Sequence, residues 1–283
     1  MNIVVCIKQV PDTTEVIIDS KTNNLVREGV PSIVNPFDIN ALEEALKLRD
    51  SFGGKVTVVS MGPPQAKQAL VYCLEMGADE AVLLSDRAVG GSDTLATGYA
   101  LSKLIKPLKA DIILCGNEAI DGCTGQVGPV IAGNLDIPQF TYVARFEMKG
   151  DTAIVCRDSG VNLDYYEAKL PVLLCILKGI NKPRKRTLSD KIPSTVSAAD
   201  IGLDPSRIGN DGSPTKVVFV KMSNARSKSY VTIDDSLDWE GRIQMIIDGG
   251  IKRNKKVDLW RGMEDDLADR FTKNRTIKRH LEM

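Results

Sequence analysis

Residues 119–140 read AIDGCTGQVGPVIAGNLDIPQF, with four glycines and no lysine. They follow the apolar run DIILCG and open a segment of helical period. Gly122, Gly125 and Gly128 permit backbone geometries that a Cβ resists, and they let a ligand come close to the main chain. The amides of Gly125, Gln126, Val127 and Gly128 begin a helix, and free N–H groups at a helix start bind phosphate. The Thr124 hydroxyl can donate or accept beside them. A phosphate-transferring loop needs a lysine and a Ser/Thr for the γ-phosphate and magnesium, and no GKS or GKT occurs here. The loop is therefore suited to a phosphate or pyrophosphate that is held and not transferred, as in a bound cofactor. The ATP pattern G-x2-G-x9-G-(S/T) fits only in its first half, at Gly125 and Gly128, because Pro138 stands where the third glycine belongs. A glycine-softened strand-to-helix turn without a ligand is the plain alternative.

Two more loops carry chemistry of this kind. In VNPFDIN, Asn35 as N-cap, Pro36 at the first helical position and Asp38 make a helix start that needs no ligand. The same exposed amides can also meet a nucleotide. In AVGGSDTLATGYA, Gly90-Gly91 allow a close turn and Ser92 or Asp93 caps a helix. Thr94 and Thr97 share one helix face at i, i+3 spacing. Plain capping explains this segment, unless the helix start faces the same crevice as the glycine loop.

Positioning these loops requires a sheet with the loops at one edge. NIVVCI, KVTVVS, AVLLS and DIILCG are nearly continuous apolar runs, as buried parallel strands require. Between them PFDINALEEALKLRDSF, PPQAKQALVYCLEMG and SDTLATGYALSKLIK repeat apolar residues every three or four positions. This βαβ alternation predicts an α/β fold with a doubly wound, mostly parallel, Rossmann-like sheet, in which ligands bind at the carboxyl ends of the strands. EVIIDSKTNNLVRE predicts a hairpin inserted after the first strand. From Phe140 to about Leu177 the pattern alternates with turn signals, which predicts added antiparallel strands. Residues 178–214, with four prolines and a basic cluster at Lys182, Arg184, Lys185 and Arg186, read as an extended arm. KVVFVKM reads as one more strand, and two helical segments follow in 215–283. The organisation expected is an α/β domain over 1–177, an arm over 178–214, and a C-terminal extension over 215–283 that packs on a partner chain.

Composition excludes several functions. Lys+Arg and Asp+Glu both count 37, so no basic excess favours nucleic acid. No stretch approaches the length of a membrane span, and no signal-peptide pattern opens the chain, so a cytoplasmic protein is expected. The six cysteines form no CxxC pair, so neither structural zinc nor an iron–sulfur cluster is supported. The lone histidine, His280, leaves no catalytic triad.

Together these motifs resemble the β subunit of electron transfer flavoproteins. VVCIKQVPDT, NPFDINALEEALKL, VTVVSMGPPQA, CLEMGADEAVLL, GNEAIDGCTGQVGPVIAGNLDIPQFTYV and LPVLLCILKGINKPRKRTL fall in the family's order over roughly residues 1–192. The resemblance implies an adenine nucleotide alpha hydrolase-like fold and a heterodimer with an α subunit that carries one FAD. The β subunit buries a second nucleotide, which is AMP in ordinary carriers and a second FAD, reduced by NADH, in electron-bifurcating members. DGCTGQVGP and GGSDTLATGYAL resemble the bifurcating branch, although Gly125 stands where those members often have alanine. The implied pocket comprises Cys6, Ile7, Asn35, Pro36, Phe37, Asp38, Met61, Asp93, Thr94 and Thr97. It continues through Asp121, Gly122, Cys123, Thr124, Gly125, Gln126, Val127, Gly128, Pro129, Val130, Ile131 and Ala132. The implied acceptors are ferredoxin or flavodoxin and a flavin-dependent dehydrogenase acting on acyl-CoA or hydroxyacid, with Leu188 as the anchor that docks the dehydrogenase. The implied chemistry needs no catalytic acid or base in this chain. The rival readings are a non-bifurcating carrier subunit with structural AMP and a non-redox adenine-nucleotide-binding module.

Overall fold

The structure is a computed structural model that describes residues 1–12, 31–216 and 236–247. The chain divides into two compact units, Met1–Lys221 and Met222–Met283. The first contains β1 (Asn2–Cys6), β2 (Gln9–Pro11), β3 (Ser32–Val34), α1 (Pro36–Phe52), β4 (Lys55–Met61), α2 (Lys67–Met76), β5 (Glu80–Leu84) and α3 (Thr94–Ile105). It continues with β6 (Ile112–Gly116), α4 (Val127–Leu135), β7 (Gln139–Lys149), β8 (Thr152–Asp158), β9 (Leu163–Lys169), β10 (Val172–Ile176), β11 (Ser194–Val196) and the short α5 (Gly209–Gly212). In the second unit α6 (Trp239–Ile247) is described, its start held by the Gly241 amide donating to Asp238 Oδ1 at 2.9 Å.

Nine strands form one sheet in the order β11-β5-β4-β1-β6-β10-β7-β8-β9. β1 runs parallel between β4 and β6. The chain moves outward from β1 through β4 to β5 and then returns to the other side of β1 as β6. The reversal places the topological switch point between β1 and β6, where an open α/β sheet binds ligands. Helices cover both faces, which is why the central strands are nearly continuous apolar runs, with Thr57 and Ser60 of β4 as buried polar exceptions. Leu42, Leu46 and Leu70 from α1 and α2 are buried on one face, and Leu101, Leu104 and Ile131 from α3 and α4 on the other. A doubly wound α/β fold is thus present.

Pro36 presets the first turn of α1, which ends where Gly53 takes φ 72° and donates its amide to Arg49 O at 2.8 Å. On the second face α3 and α4 pack so closely that a Cβ on Gly98 would strike the Val130 side chain.

The region after Phe140 differs from expectation in one strand. β7, β8 and β9 are joined by antiparallel ladders, but β10 lies parallel between β6 and β7. Its five residues VLLCI are all buried, so this run belongs inside the sheet and not in the half-solvated extension. The segment read as an extended arm also supplies a strand. β11 pairs parallel with β5 through Thr195 and Leu83 and closes that edge. Short and mostly exposed, STV offered no apolar run to detect. The hairpin expected at Glu15–Glu28, the strand at Lys216–Met222 past its first residue, and the last helical segment lie outside the described residues.

Candidate functional site

The switch point is closed from below by a buried carboxyl. Asp38, in the first turn of α1, is 5% exposed. Its Oδ2 accepts from the Lys8 amide at 2.7 Å, just past β1. Its Oδ1 accepts from Asn35 Nδ2 at 2.9 Å and from the Gly116 amide at 3.2 Å, at the end of β6. One side chain thus ties together the ends of both strands that flank the reversal. Burial pushes the Asp38 carboxyl up to about 7, against three N–H donors that favour the carboxylate. Gly116 is required here, since a Cβ would collide with Asp38 Oδ1.

Asn35 has a different role from the one its position suggests. It precedes α1, but its side chain makes no capping bond. Instead Nδ2 also donates to Glu118 O at 2.9 Å, and Oδ1 accepts from the Ile120 amide at 3.3 Å. Asn35 therefore pins the glycine loop to α1. The loop is fixed at three further points. Lys8 Nζ pairs with Asp121 at 2.6 Å, the Cys123 amide donates to Ala119 O at 2.8 Å, and Thr94 Oγ1 donates to Gln126 Oε1 at 2.7 Å. The last bond joins the amino ends of α3 and α4 across the crevice.

The three glycines do different work. Gly125 has φ 61°, in the region that L side chains resist. A Cβ on Gly128 would lie 2.5 Å from Cys175 Sγ, so its need is close packing of α4 on β10. Gly122 has open space where a Cβ would point.

On the opposite rim Asp93 caps α3 through the Ala96 amide at 2.9 Å, as one of the two expected caps. Its other oxygen accepts from the Thr215 amide at 3.0 Å. These hydrogen bonds hold its carboxyl below the usual range, against a burial effect that acts the other way. Ser92 instead donates to Val89 O and accepts from the Gly209 amide, each at 2.8 Å. Residues 209–215 therefore brace the α3 loop from outside.

These parts surround a cavity of about 1090 Å³. The sequence-predicted Cys6, Ile7, Asn35, Asp38 and Met61 line it from the strand ends and α1. Asp93, Thr94 and Thr97 line it from α3, and Gly122, Thr124 and Gly125 to Gly128 from the glycine loop. The other predicted residues are outside the lining. Pro36 and Phe37 form the first turn of α1, Asp121 is engaged by Lys8, and Cys123 is exposed at φ 49°. Pro129 and Val130 continue α4, with Ile131 and Ala132 fully buried in the core.

The cavity also takes residues that sequence reasoning missed. Lys8, Asn117 and Glu118 follow β1 and β6, Pro63 and Pro64 follow β4, and Ser85, Asp86 and Arg87 follow β5. Each stands at the carboxyl end of a core strand, and that placement was the available signal. Cys6, Cys115 and Cys175 sit in register on three adjacent strands. Cys115 is raised well above the ordinary thiol range, first by its contact with Cys6 and then by burial, and burial pushes Cys175 up to about 12. Such thiols behave as small apolar groups and not as nucleophiles. Among the described residues no group of acidic, cysteine or histidine side chains could hold a metal ion.

Sequence comparison agrees with this architecture. The electron transfer flavoprotein domain family matches residues 22–201. The electron transfer flavoprotein subunit beta of Clostridium acetobutylicum is 55% identical over 223 residues, covering 77% of this chain and 86% of that protein. The chain belongs to the electron transfer flavoprotein β-subunit family. A family member named caffeyl-CoA reductase-Etf complex subunit CarD, from Acetobacterium woodii, is 49% identical over 225 residues, 77% of this chain and 86% of its own length. Protein FixA of Azorhizobium caulinodans is 41% identical over 285 residues and covers 95% of this chain and 98% of its own. No helix among the described residues is long and apolar enough to cross a membrane.

Proposed function

We propose that this β subunit holds FAD in the switch-point cavity, receives electrons from NADH, and divides them between two acceptors. One is a low-potential ferredoxin or flavodoxin. The other, reached through the FAD of an α subunit, is a flavin-dependent dehydrogenase. The observation that carries this reading is the cavity of about 1090 Å³ ending at the lysine-free α4 amino terminus. That volume stands just above the roughly 300–1,000 Å³ usual for small-molecule sites and leaves room for a dinucleotide. The free amides at the start of α4 and the positive-φ turn at Gly125 suit a pyrophosphate. The exposed Arg87 supplies positive charge in the same lining. The name of the Acetobacterium woodii relative, which places it in a reductase complex acting on a CoA ester, supports an acyl-CoA dehydrogenase as partner.

When bound, the flavin supplies the hydride and single-electron chemistry, and the protein positions it and sets its potential. The chain's own residues bind and orient. Asn35 and Asp38 fix the cavity floor, Gly125 to Gly128 present amides, and Thr94 with Gln126 closes the rim. The extension 215–283 is assigned to packing on the α subunit. Co-expression with that subunit, followed by cofactor extraction and chromatography, tests the reading. Two FAD per heterodimer are expected. One FAD with one AMP would reject bifurcation and leave an electron carrier with a structural nucleotide. A colourless protein that binds ATP with magnesium would reject both.

A further inference from the structure

Leu188 is fully exposed, at 101% of its reference area, yet the chain on either side of it is pinned to the core. Upstream, the Gly179 amide donates to Asn40 Oδ1 at 3.2 Å, and Asn181 Nδ2 donates to Asn40 O at 2.8 Å and Glu44 Oε1 at 2.9 Å. Arg184 then makes three bonds to Glu43, through its amide at 2.9 Å, Nε at 3.0 Å and Nη2 at 3.2 Å. Its Nη2 also reaches Asp50 at 2.9 Å. Arg186 pairs with Glu75 at 2.9 Å and stacks over Tyr72 at 4.5 Å. The Thr187 amide donates to Glu75 O at 2.8 Å. Downstream, Lys191 Nζ donates to Ala78 O at 3.0 Å, and β11 joins the sheet.

Only a few residues around Leu188 are left free of the core. The side chain of Glu43 is 6% exposed, so the clamp neutralises a buried charge that would be costly alone. The basic run is therefore only in part an open charged surface, at the exposed Lys182 and Lys185. Arg184 and Arg186 are occupied by the acids of α1 and α2.

We infer that the Glu43–Arg184 clamp is a positioning device that holds Leu188 out as a pre-ordered anchor for the partner dehydrogenase. The inference rests on the reading that Leu188 enters that partner. A loop that is already fixed loses less freedom when it docks, so the clamp acts on affinity and not on the chemical step. Arginine is required because its planar fork reaches both oxygens of Glu43, and a lysine offers only a point charge.

The test uses the heterodimer with its α subunit and the dehydrogenase that the wild-type heterodimer reduces. Arg184→Ala, Arg184→Lys, Leu188→Ala and the double variant Arg184→Ala/Leu188→Ala are compared by hydrogen exchange over residues 179–196 and by dehydrogenase turnover. Arg184→Ala should speed exchange at the Thr187 amide about tenfold or more. It should raise the KM for the heterodimer about tenfold with kcat nearly unchanged. Arg184→Lys should fall between wild type and Arg184→Ala. The double variant should be no worse than Leu188→Ala, since both act through one anchor. Glu43→Gln keeps the shape and removes the charge, and repeats the test if Arg184→Ala does not fold. Unchanged exchange and KM, or losses that add fully in the double variant, overturn the clamp. A normal KM in Leu188→Ala overturns the docking reading and with it the purpose assigned to the clamp, and faster exchange alone would then mark only a structural tie.

Discussion

Asn35 Nδ2 donates to Asp38 Oδ1 at 2.9 Å within the start of α1, and both side chains are buried. The pair is an internal tie between three segments. Asp38 holds the ends of β1 and β6, while Asn35 holds the loop at Glu118 and Ile120. Asn35→Ala should therefore loosen the glycine loop from α1. Leaving buried partners unbonded costs roughly 1–3 kcal/mol, or about tenfold to a hundredfold in an equilibrium. Nucleotide retained after gel filtration should fall accordingly. Full retention would show that the tie does not shape the site.

Asp38 gives the apoprotein a distinct pH dependence. Its folded-state carboxyl lies at about 7, above the ordinary 3.8. The folded chain keeps this proton to higher pH than the unfolded chain. Below about pH 4 both states are protonated, and from there to about 7 stability falls as pH rises. Asp38→Asn removes that titration. Relative to wild type, the variant should gain stability with rising pH up to about 7 and then level off, beside a fixed loss from the altered hydrogen bonds. Urea unfolding in matched buffers measures this, and parallel curves for the two proteins would reject it.

Gly125 and Gly128 should fail in different ways. Gly125→Val strains a turn at φ 61° and should release the nucleotide with a modest loss of stability, about 1–2 kcal/mol. Gly128→Val pushes into Cys175 and Leu173. Overpacking of this kind costs roughly 1–3 kcal/mol, so the thermal midpoint should fall even without nucleotide. Equal behaviour of the two variants would mean that the loop works as one unit.

Leu188→Ala should leave the fold untouched, because its side chain contributes nothing to the core. An exposed apolar anchor entering a pocket contributes about 1.5–3 kcal/mol, so electron delivery to the dehydrogenase should drop about tenfold or more. Reduction by NADH should be nearly unchanged. Stopped-flow reduction and coupled turnover on one preparation separate the two, and equal loss in both would indicate misfolding instead.

The α/β alternation, the parallel core strands and helices α1 to α3 were legible in the sequence, because periodic burial writes itself into local apolar spacing. The glycine loop was legible for the same local reason, since its turn and helix start depend on neighbouring residues. What the sequence did not carry was pairing. VLLCI reads the same whether its neighbours run parallel or antiparallel, and only the sheet put β10 between β6 and β7. Asn35 looks like a cap, but beside its bond to Asp38 two of its partners lie more than 80 residues away, at Glu118 and Ile120. Arg184 looks like a solvated charge until α1 brings Glu43 beside it. Local spacing determines which elements form and which face is apolar. Long-range contacts decide where a polar side chain ends its hydrogen bonds, because many partners satisfy it equally well until the fold has selected one.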